Sequence, residues 1–337
     1  ALIAIGLVVI YSASHSQLVA VGLSPFYYVQ RQLFALGLGL ILAIVIVAID
    51  YRAWKRWTNL LYLANLLLLG GVLVIELAKI ALVLVLAKFL EKKENAQSLK
   101  GTGQAFLLTL IPMGLILLQP DLGTAAIFVG LFFTMWFVAE ANPKHLLITG
   151  LTMVIGALGA ITLSIKGWVK IIKPYQLTRL LVFLDPYADR NGAGWNIIQS
   201  MIAIGSGGFL GKGILNGTQS SLHFLPANHT DFVFSVVAEE FGFLGSLVVL
   251  ALYAFVIWRG LRIAALSKDF YGTLLATGAT SIFFFHLIIN VGMTLGIMPV
   301  TGLPLPFITA GGSTMLTSLV AVAIVLNVGL RRMKIMF

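Results

Sequence analysis

The sequence predicts an all-α polytopic membrane protein: ten transmembrane helices in one domain over residues 1–337, with a long extracytoplasmic loop, 166–231, between helices seven and eight. Composition points there first, because 59% of residues are apolar and only 10% charged, against roughly 25% charged in soluble domains. Apolar runs recur near 1–13, 30–49, 58–75, 77–90, 103–118, 122–139, 145–165, 232–257, 271–294 and 313–330. Several are shorter than the roughly 20 residues a span needs. The third observation is how the cations divide between the loops.

Loops after even-numbered runs carry Arg52, Lys55 and Arg56, then Lys88, Lys92, Lys93 and Lys100, then Lys144, and then Arg259, Arg262 and Lys268; the tail adds Arg331, Arg332 and Lys334. Short loops on the opposite side hold only Arg31. Cations mark the cytoplasmic side, and long loops cross largely regardless of charge. Both termini are therefore expected in the cytoplasm and 166–231 outside. The net charge of +10 is assigned to topology and anionic membrane lipid rather than nucleic acid. The chain has no cysteine, which excludes disulfides, thiolate metal ligands and thiol nucleophiles. Residues 1–13 lack the charged flank of a cleavable signal peptide, leaving open a start further upstream.

One stretch breaks the parity. Thr58 to Leu90 reads as one apolar run, about 50 Å as a helix, too long for one span and flanked by cations at both ends. The positive-inside rule wants two spans and an external turn there, yet no turn residue separates Ile75 from Glu76. An external loop is expected to be missing near 75–76. No repeat of 20–50 residues supports a solenoid or an inverted-repeat transporter.

Asp231 carries the chemistry. It stands where the long loop enters the apolar run from 232, poorly hydrated yet reachable from water. A carboxylate at a membrane edge that faces a cavity is a functional candidate; the alternative is an acid opposing the dipole of the next helix. Residues 166–231 contain enough apolar side chains to fold, and Asn196–Ala203 reads as a short amphipathic helix near the membrane surface. The glycine-flanked Ser206 and Lys212 either present N–H groups and an ammonium to phosphate or simply let the loop turn. On the following helix Ser235, Ala238, Gly242 and Gly245 form a small-residue stripe on the face of Asp231, suited to close packing or to a groove. Glu239 falls nearer that face than Glu240. His229 is expected to bond locally, with proton carriage the other reading, and Asp121 either to cap the helix after it or to contact substrate. Gly302–Ser313 reads as a re-entrant hairpin against a cavity, and His286 and Asn290 as interhelical hydrogen bonders. Glu76 and Lys79 share one helix face as a self-neutralising buried pair, or Lys79 faces the cavity and lowers the pKa of Asp231.

The ordered motifs resemble the SEDS family of RodA and FtsW, the RodA branch the nearer. They are Glu76-Leu77-Ala78-Lys79, Gln119-Pro120-Asp121-Leu122-Gly123-Thr124, Ala203-Ile204-Gly205-Ser206-Gly207-Gly208, Gly211-Lys212-Gly213, Gly217-Thr218-Gln219, His229-Thr230-Asp231-Phe232, Glu239-Glu240, and Gly302 to Phe307 with Gly311-Gly312-Ser313. Ala227-Asn228 stands where the family usually has Glu after the proline, Thr309 and Thr314 stand where serines are common, and the loop before the Glu76 motif is absent. The resemblance implies a peptidoglycan glycosyltransferase that polymerises lipid II and releases undecaprenyl diphosphate with inversion, with Asp231 as general base, substrate orienter or ligand of a divalent cation. Under it the substrate-binding residues are Glu76, Lys79, Lys173, Arg179, Ser206, Lys212, Gln219, His229, Thr230, Glu239, Gly312 and Ser313. It also implies a class B penicillin-binding transpeptidase as partner. The competing readings are a lipid II flippase or other transporter, favoured by Glu76 and Lys79, and a scaffold that recruits the transpeptidase.

Overall fold

The structure, a computed structural model, describes residues 1–69, 75–119, 121–165, 173–190, 192–222 and 224–332. These form α1 (Leu2–Ala20), α2 (Tyr27–Ala48), α3 (Tyr51–Leu68), α4 (Ile75–Leu90), α5 (Lys93–Gln97), α6 (Leu99–Leu118), α7 (Leu122–Val138), α8 (Pro143–Ile165), α9 (Pro174–Leu184), α10 (Ala193–Ser206), α11 (Thr218–Ser221), α12 (Val233–Ala265), α13 (Phe270–Thr294) and α14 (Gly312–Leu330). A long helix forms at each of the ten apolar runs. Seven are long and apolar enough to cross a membrane by length and composition: α1, α2, α6, α8, α12, α13 and α14. The others stop short of that standard, α4 and α7 at 16 and 17 residues, while α3 opens with Arg52, Lys55 and Arg56. The helices themselves thus do not settle a count of ten spans. The helix α8 makes the need for lipid plain: none of its side chains is buried, an arrangement water would not tolerate in 23 mostly apolar residues.

The segment expected as an external loop, 166–231, carries α9, a 3₁₀ turn at Pro186–Asp189, α10 and α11 among its described residues. The amphipathic helix expected over Asn196–Ala203 is α10, longer at both ends. The junction Ile75–Glu76 lies inside α4, whose first turn places Glu76 against the positive end of the dipole. Residues 70–74, immediately before that junction, lie outside the described residues, and the expectation of a missing external loop falls there.

The chain separates into two compact units, one of residues 1–45, 179–258 and 283–320, the other of 46–178, 259–282 and 321–337. The second centres on α4, whose residues 78–87 are all buried. Around it α3, α6 and α7 pack, with Phe132 and Trp136 of α7 in contact at 5.1 Å between ring centroids. The Trp136 indole, fully buried, donates to Ala96 O at 3.0 Å. Gly278 is small because a Cβ there would meet Val83 Cγ1 at 2.7 Å. One end of this unit is laced by ion pairs, Arg52–Asp269 at 2.8 Å, Lys55–Glu91 at 2.6 Å and Lys93–Glu140 at 2.6 Å.

The first unit is organised by a break. The run from 232 reads as a continuous helix, yet α12 is interrupted at Gly242, with φ 66° and ψ −162°. A broken helix leaves carbonyls on one side and N–H groups on the other without partners, and at this depth each must be paired within the protein. The glycine segment 207–213 does that. Lys212 N and Gly213 N donate to the carbonyls of Glu239 and Glu240 at 3.0 and 2.9 Å, while Phe243 N and Leu244 N donate to those of Gly208 and Phe209 at 2.9 and 3.2 Å. The approach is close enough that a Cβ on Gly207 would lie 2.0 Å from Ala238 O, and one on Gly211 2.1 Å from Glu240 O. The small-residue stripe is therefore a packing face: Ser235 bonds Ser200 of α10 at 2.7 Å, and Gly242 receives the loop. Ala238, Gly242 and Ser246 also line an apolar slot of about 290 Å³.

Gly242→Ala puts a Cβ 2.3 Å from Gly211 N at a left-handed φ. The conformation alone costs about 1–2 kcal/mol, before the clash. We expect a clearly lowered unfolding midpoint in detergent; unchanged thermal melting would show that the segment does not dock at the break.

Candidate functional site

The turn before α12 is held from four directions, all within the first unit. Ala227 takes φ 53°, a left-handed conformation that costs a non-glycine residue energy and persists where its surroundings enforce it. Its carbonyl accepts from Thr230 N and Phe232 N, both at 3.2 Å, and from the Thr230 hydroxyl at 3.2 Å. Asn228 donates to Ala13 O of α1 at 3.1 Å. His229 meets Asn228 Oδ1 through Nδ1 at 3.2 Å and packs its ring on Tyr28 of α2 at 4.7 Å, so its bonding is local, as expected. From α13, the buried Asn290 amide donates to Asp231 O at 2.9 Å and to Leu303 O at 2.7 Å.

The Gly302–Gly311 hairpin closes the fourth side. Thr309 Oγ1 donates to Thr230 O at 3.2 Å and accepts from Leu305 N at 2.7 Å, so the threonine keeps the hydroxyl a serine would supply. Ala310 N donates to His229 O at 3.0 Å. The buried Gln32 of α2 clamps the hairpin through Thr309 O and Gly311 N, each at 3.1 Å. Gly302, φ 75°, passes so near the carboxylate that a Cβ there would stand 3.2 Å from Asp231 Oδ2.

The Asp231 carboxyl is half-buried. Burial raises its pKa to about 6, against the opposing pull of a Thr230 hydrogen bond and the Arg179 charge. Burial lowers the pKa of His229, which favours a neutral imidazole. A cavity of about 630 Å³ borders the turn, sharing Tyr28 and Ala310 with the surroundings of His229 and lined also by Arg31, Phe34, Gly312 and Leu316. Asp231 itself is of intermediate exposure and does not line that cavity. Ser313, exposed, opens α14 beside Gly312.

Ser206, Lys212 and Gln219 are brought together, but around Glu239. That side chain is 1% exposed and accepts from Lys212 Nζ at 2.7 Å, Thr218 N at 2.8 Å, Thr218 Oγ1 at 2.9 Å and Gln219 N at 3.2 Å. Ser206 Oγ lies 3.5 Å away and bonds Ala203 O at 2.9 Å. Sequence geometry put Glu239 with Asp231 and offered the glycine-loop N–H groups and Lys212 to phosphate. Instead the N–H groups of Lys212 and Gly213 serve the helix break, and the ammonium neutralises an acid that could not stay buried alone. Glu240 turns the other way and accepts from the Ser12 hydroxyl, which itself accepts from Leu215 N at 2.9 Å.

In the second unit Glu76 and Lys79 form the expected ion pair at 2.9 Å, with Lys79 fully buried. Asp121 caps α7 through Thr124 N at 2.9 Å and Thr124 Oγ1 at 2.7 Å. Lys173 stands exposed before α9, its N–H held by Gln176 Oε1 at 3.0 Å. Among the described residues no three histidines or acids gather as metal ligands. Sequence reasoning missed Gln32, Tyr28 and Gly302 as supports of the Asp231 turn. It also noted Asn290, with His286, only as an interhelical hydrogen bonder, since nothing local to these residues says which remote carbonyl or ring they meet.

Long apolar helices, an acid-bearing turn at the mouth of one of them and a cavity beside that turn define a polytopic membrane protein with a carboxylate site. A family model described as "Cell cycle protein", covering FtsW, RodA and SpoVE, matches residues 1–334, and the chain belongs to that family. It is 36% identical to stage V sporulation protein E of Bacillus subtilis, over 97% of this chain and 93% of that protein. With peptidoglycan glycosyltransferase MrdB of Escherichia coli it shares 37% identity over 90% and 86% of the two chains. The crystal structure of Thermus thermophilus rod shape determining protein RodA superposes with a TM-score of 0.69 at 30% identity, covering 99% of this chain and 94% of that one. A chain from a structure of the "structural coordination of polymerization and crosslinking by a peptidoglycan synthase complex" matches at a TM-score of 0.76 and 35% identity, over 96% of both. The protein is accordingly a multi-pass protein of the bacterial cytoplasmic membrane.

Removing one partner of a buried ion pair costs about 3–5 kcal/mol. Because the Lys212 side chain is 26% exposed, we expect Lys212→Met to cost about 2–3 kcal/mol in denaturant unfolding. Adding Glu239→Gln should recover part of that loss. If the double variant is no more stable than Lys212→Met, the pair is not what neutralises Glu239.

Proposed function

We propose that this protein is a peptidoglycan glycosyltransferase that polymerises lipid II at the outer face of the cytoplasmic membrane, with Asp231 as general base. The observation that carries the reading is the Asp231 carboxylate itself, half-buried on a turn braced by α1, α2, α13 and the 302–311 hairpin, with a cavity reaching the neighbouring His229 through Tyr28 and Ala310. Relatives named peptidoglycan glycosyltransferase support the activity. The acceptor 4-hydroxyl of a lipid-linked GlcNAc loses its proton to Asp231 as its oxygen attacks the anomeric carbon of a lipid-linked MurNAc. The bond from that carbon to the diphosphate oxygen breaks, the electron pair leaves with undecaprenyl diphosphate, and the configuration inverts.

The environment of Asp231 suits that task. A base works best with a pKa near the operating pH, and burial brings this carboxyl to about 6. The Arg179 charge acts on it and is attractive to a diphosphate. Neutral His229 and Thr230 shape the turn, while Glu239, with Ser206, Lys212 and Gln219, holds the loop that joins α10 to α12. Gly312 lines the cavity, and Ser313 follows it at the start of α14. The distribution of cations supports both termini in the cytoplasm, and a class B penicillin-binding transpeptidase is the proposed partner. The peptidoglycan synthase complex that includes a structural relative supports that pairing.

Purified protein supplied with lipid II in detergent tests the activity. We expect glycan ladders from the native chain and a loss of about 10²- to 10⁴-fold in rate for Asp231→Asn; ladders of normal yield from that variant would remove Asp231 from the chemistry. The base must be deprotonated to act, so activity should be full well above pH 6 and fall about tenfold per pH unit below it. An acid limb centred near pH 4 would mean that the acting base is a solvated carboxylate.

A further inference from the structure

Far along the chain from the Asp231 turn, the second unit contains a cavity of about 660 Å³ walled by α3, α4, α5 and α6. Its lining changes character with depth. At the end where α3 and α6 begin and α4 finishes, it presents Asn59, Lys88, Lys92, Asn95 and Gln104; further along the same helices it presents Tyr62, Leu63, Leu66, Val85, Leu107 and Leu108. The polar end is the one that the distribution of cations assigns to the cytoplasmic side. The apolar end opens outward, since Leu63 and Leu107 are 55% and 53% exposed, on helices whose outer faces require lipid.

The charge at the mouth is uncompensated. Of the acids near this corner, Glu91 is held by Lys55 and Glu140 by Lys93, each at 2.6 Å, and Glu94 on α5 is not part of the lining. Lys88 bonds a neutral group, Asn59 Oδ1, at 2.9 Å. Neither Lys88 nor Lys92 has an acidic partner among the described residues. Hydrogen bonds tie both ends of the cavity: at the mouth Asn95 donates to Phe89 O at 2.8 Å, and at the apolar end Tyr62 donates to Leu108 O at 2.6 Å.

We infer that this cavity is a binding site for an anionic phospholipid, its phosphate between Lys88 and Lys92 and its acyl chains along Leu63, Leu66, Val85 and Leu107. A soluble anion would be drawn to the two lysines but would gain nothing from the apolar wall. A neutral lipid would fill the wall and forgo the charges. Basic pockets between transmembrane helices on the cytoplasmic side recognise anionic headgroups in this way. The inference is independent of the proposed catalysis, because it uses no residue of the Asp231 site.

The test is titration of the delipidated protein in detergent with short-chain phosphatidylglycerol, phosphatidylcholine or inorganic phosphate, read by bound lipid in native mass spectrometry and by melting temperature. Each lysine near an anionic headgroup contributes about 1 kcal/mol, so Lys88→Gln/Lys92→Gln should weaken phosphatidylglycerol binding about 30-fold and leave phosphatidylcholine unchanged. Leu63→Trp fills the wall while sparing both charges and should also lose phosphatidylglycerol; it decides the matter if the double variant fails to fold. Equal phosphatidylglycerol affinity in the native chain and in either variant overturns the inference. So does a melting shift reproduced by inorganic phosphate alone, which would make the site an anion site without lipid.

Discussion

The first unit depends on the interruption of α12 at Gly242. A helix that stops at membrane depth exposes backbone donors and acceptors that neither lipid nor the helix can satisfy. Those groups find partners in a segment some thirty residues earlier, and that segment must be nearly free of side chains to come so close. The glycines at 207, 211 and 242 are therefore one device rather than three turns. Lys212 reaches Glu239 because its own backbone N–H is already paired at the break. One constraint on hydrogen bonding thus sets the path of the loop, the neutralisation of a buried acid and the start of the ordered connection to α11.

The acids on and before α12 show how burial assigns different work to identical chemistry. Glu239 is saturated by an ammonium and several N–H and O–H donors, and so is structural. Asp231 has its backbone tied by Asn290 and its neighbours tied by the hairpin, while its carboxyl meets a threonine hydrogen bond and the Arg179 charge, which do not offset its burial. Incomplete compensation leaves desolvation dominant, and a carboxyl in that state binds protons more readily than a solvated one. A carboxyl poised near neutrality follows from what the site withholds as much as from what it supplies.

Much of this was legible without coordinates. The helices, the Asp121 cap and the Glu76–Lys79 pair follow from hydropathy, charge and three- or four-residue spacing, all local or additive signals. The break in α12 was not legible, because Val233–Ala265 is apolar throughout and Gly242 looks like any other member of the small-residue stripe. Nor was the fate of Ser206 and Lys212, whose glycine-rich setting suits phosphate and helix repair equally well. Helical angles around an unbroken α12 aimed Glu239 towards Asp231; the real packing gave it the 212–219 loop.

The amino-acid order alone thus determined membrane residence, the helical segments and the candidate carboxylate, since each depends on the free energy of moving nearby groups out of water. Only the tertiary structure decided which buried polar groups meet. Partner choice there turns on long-range closure, with Asn290 reaching the Asp231 turn and Gln32 the hairpin, and no local pattern encodes the distance between residues that far apart in the chain.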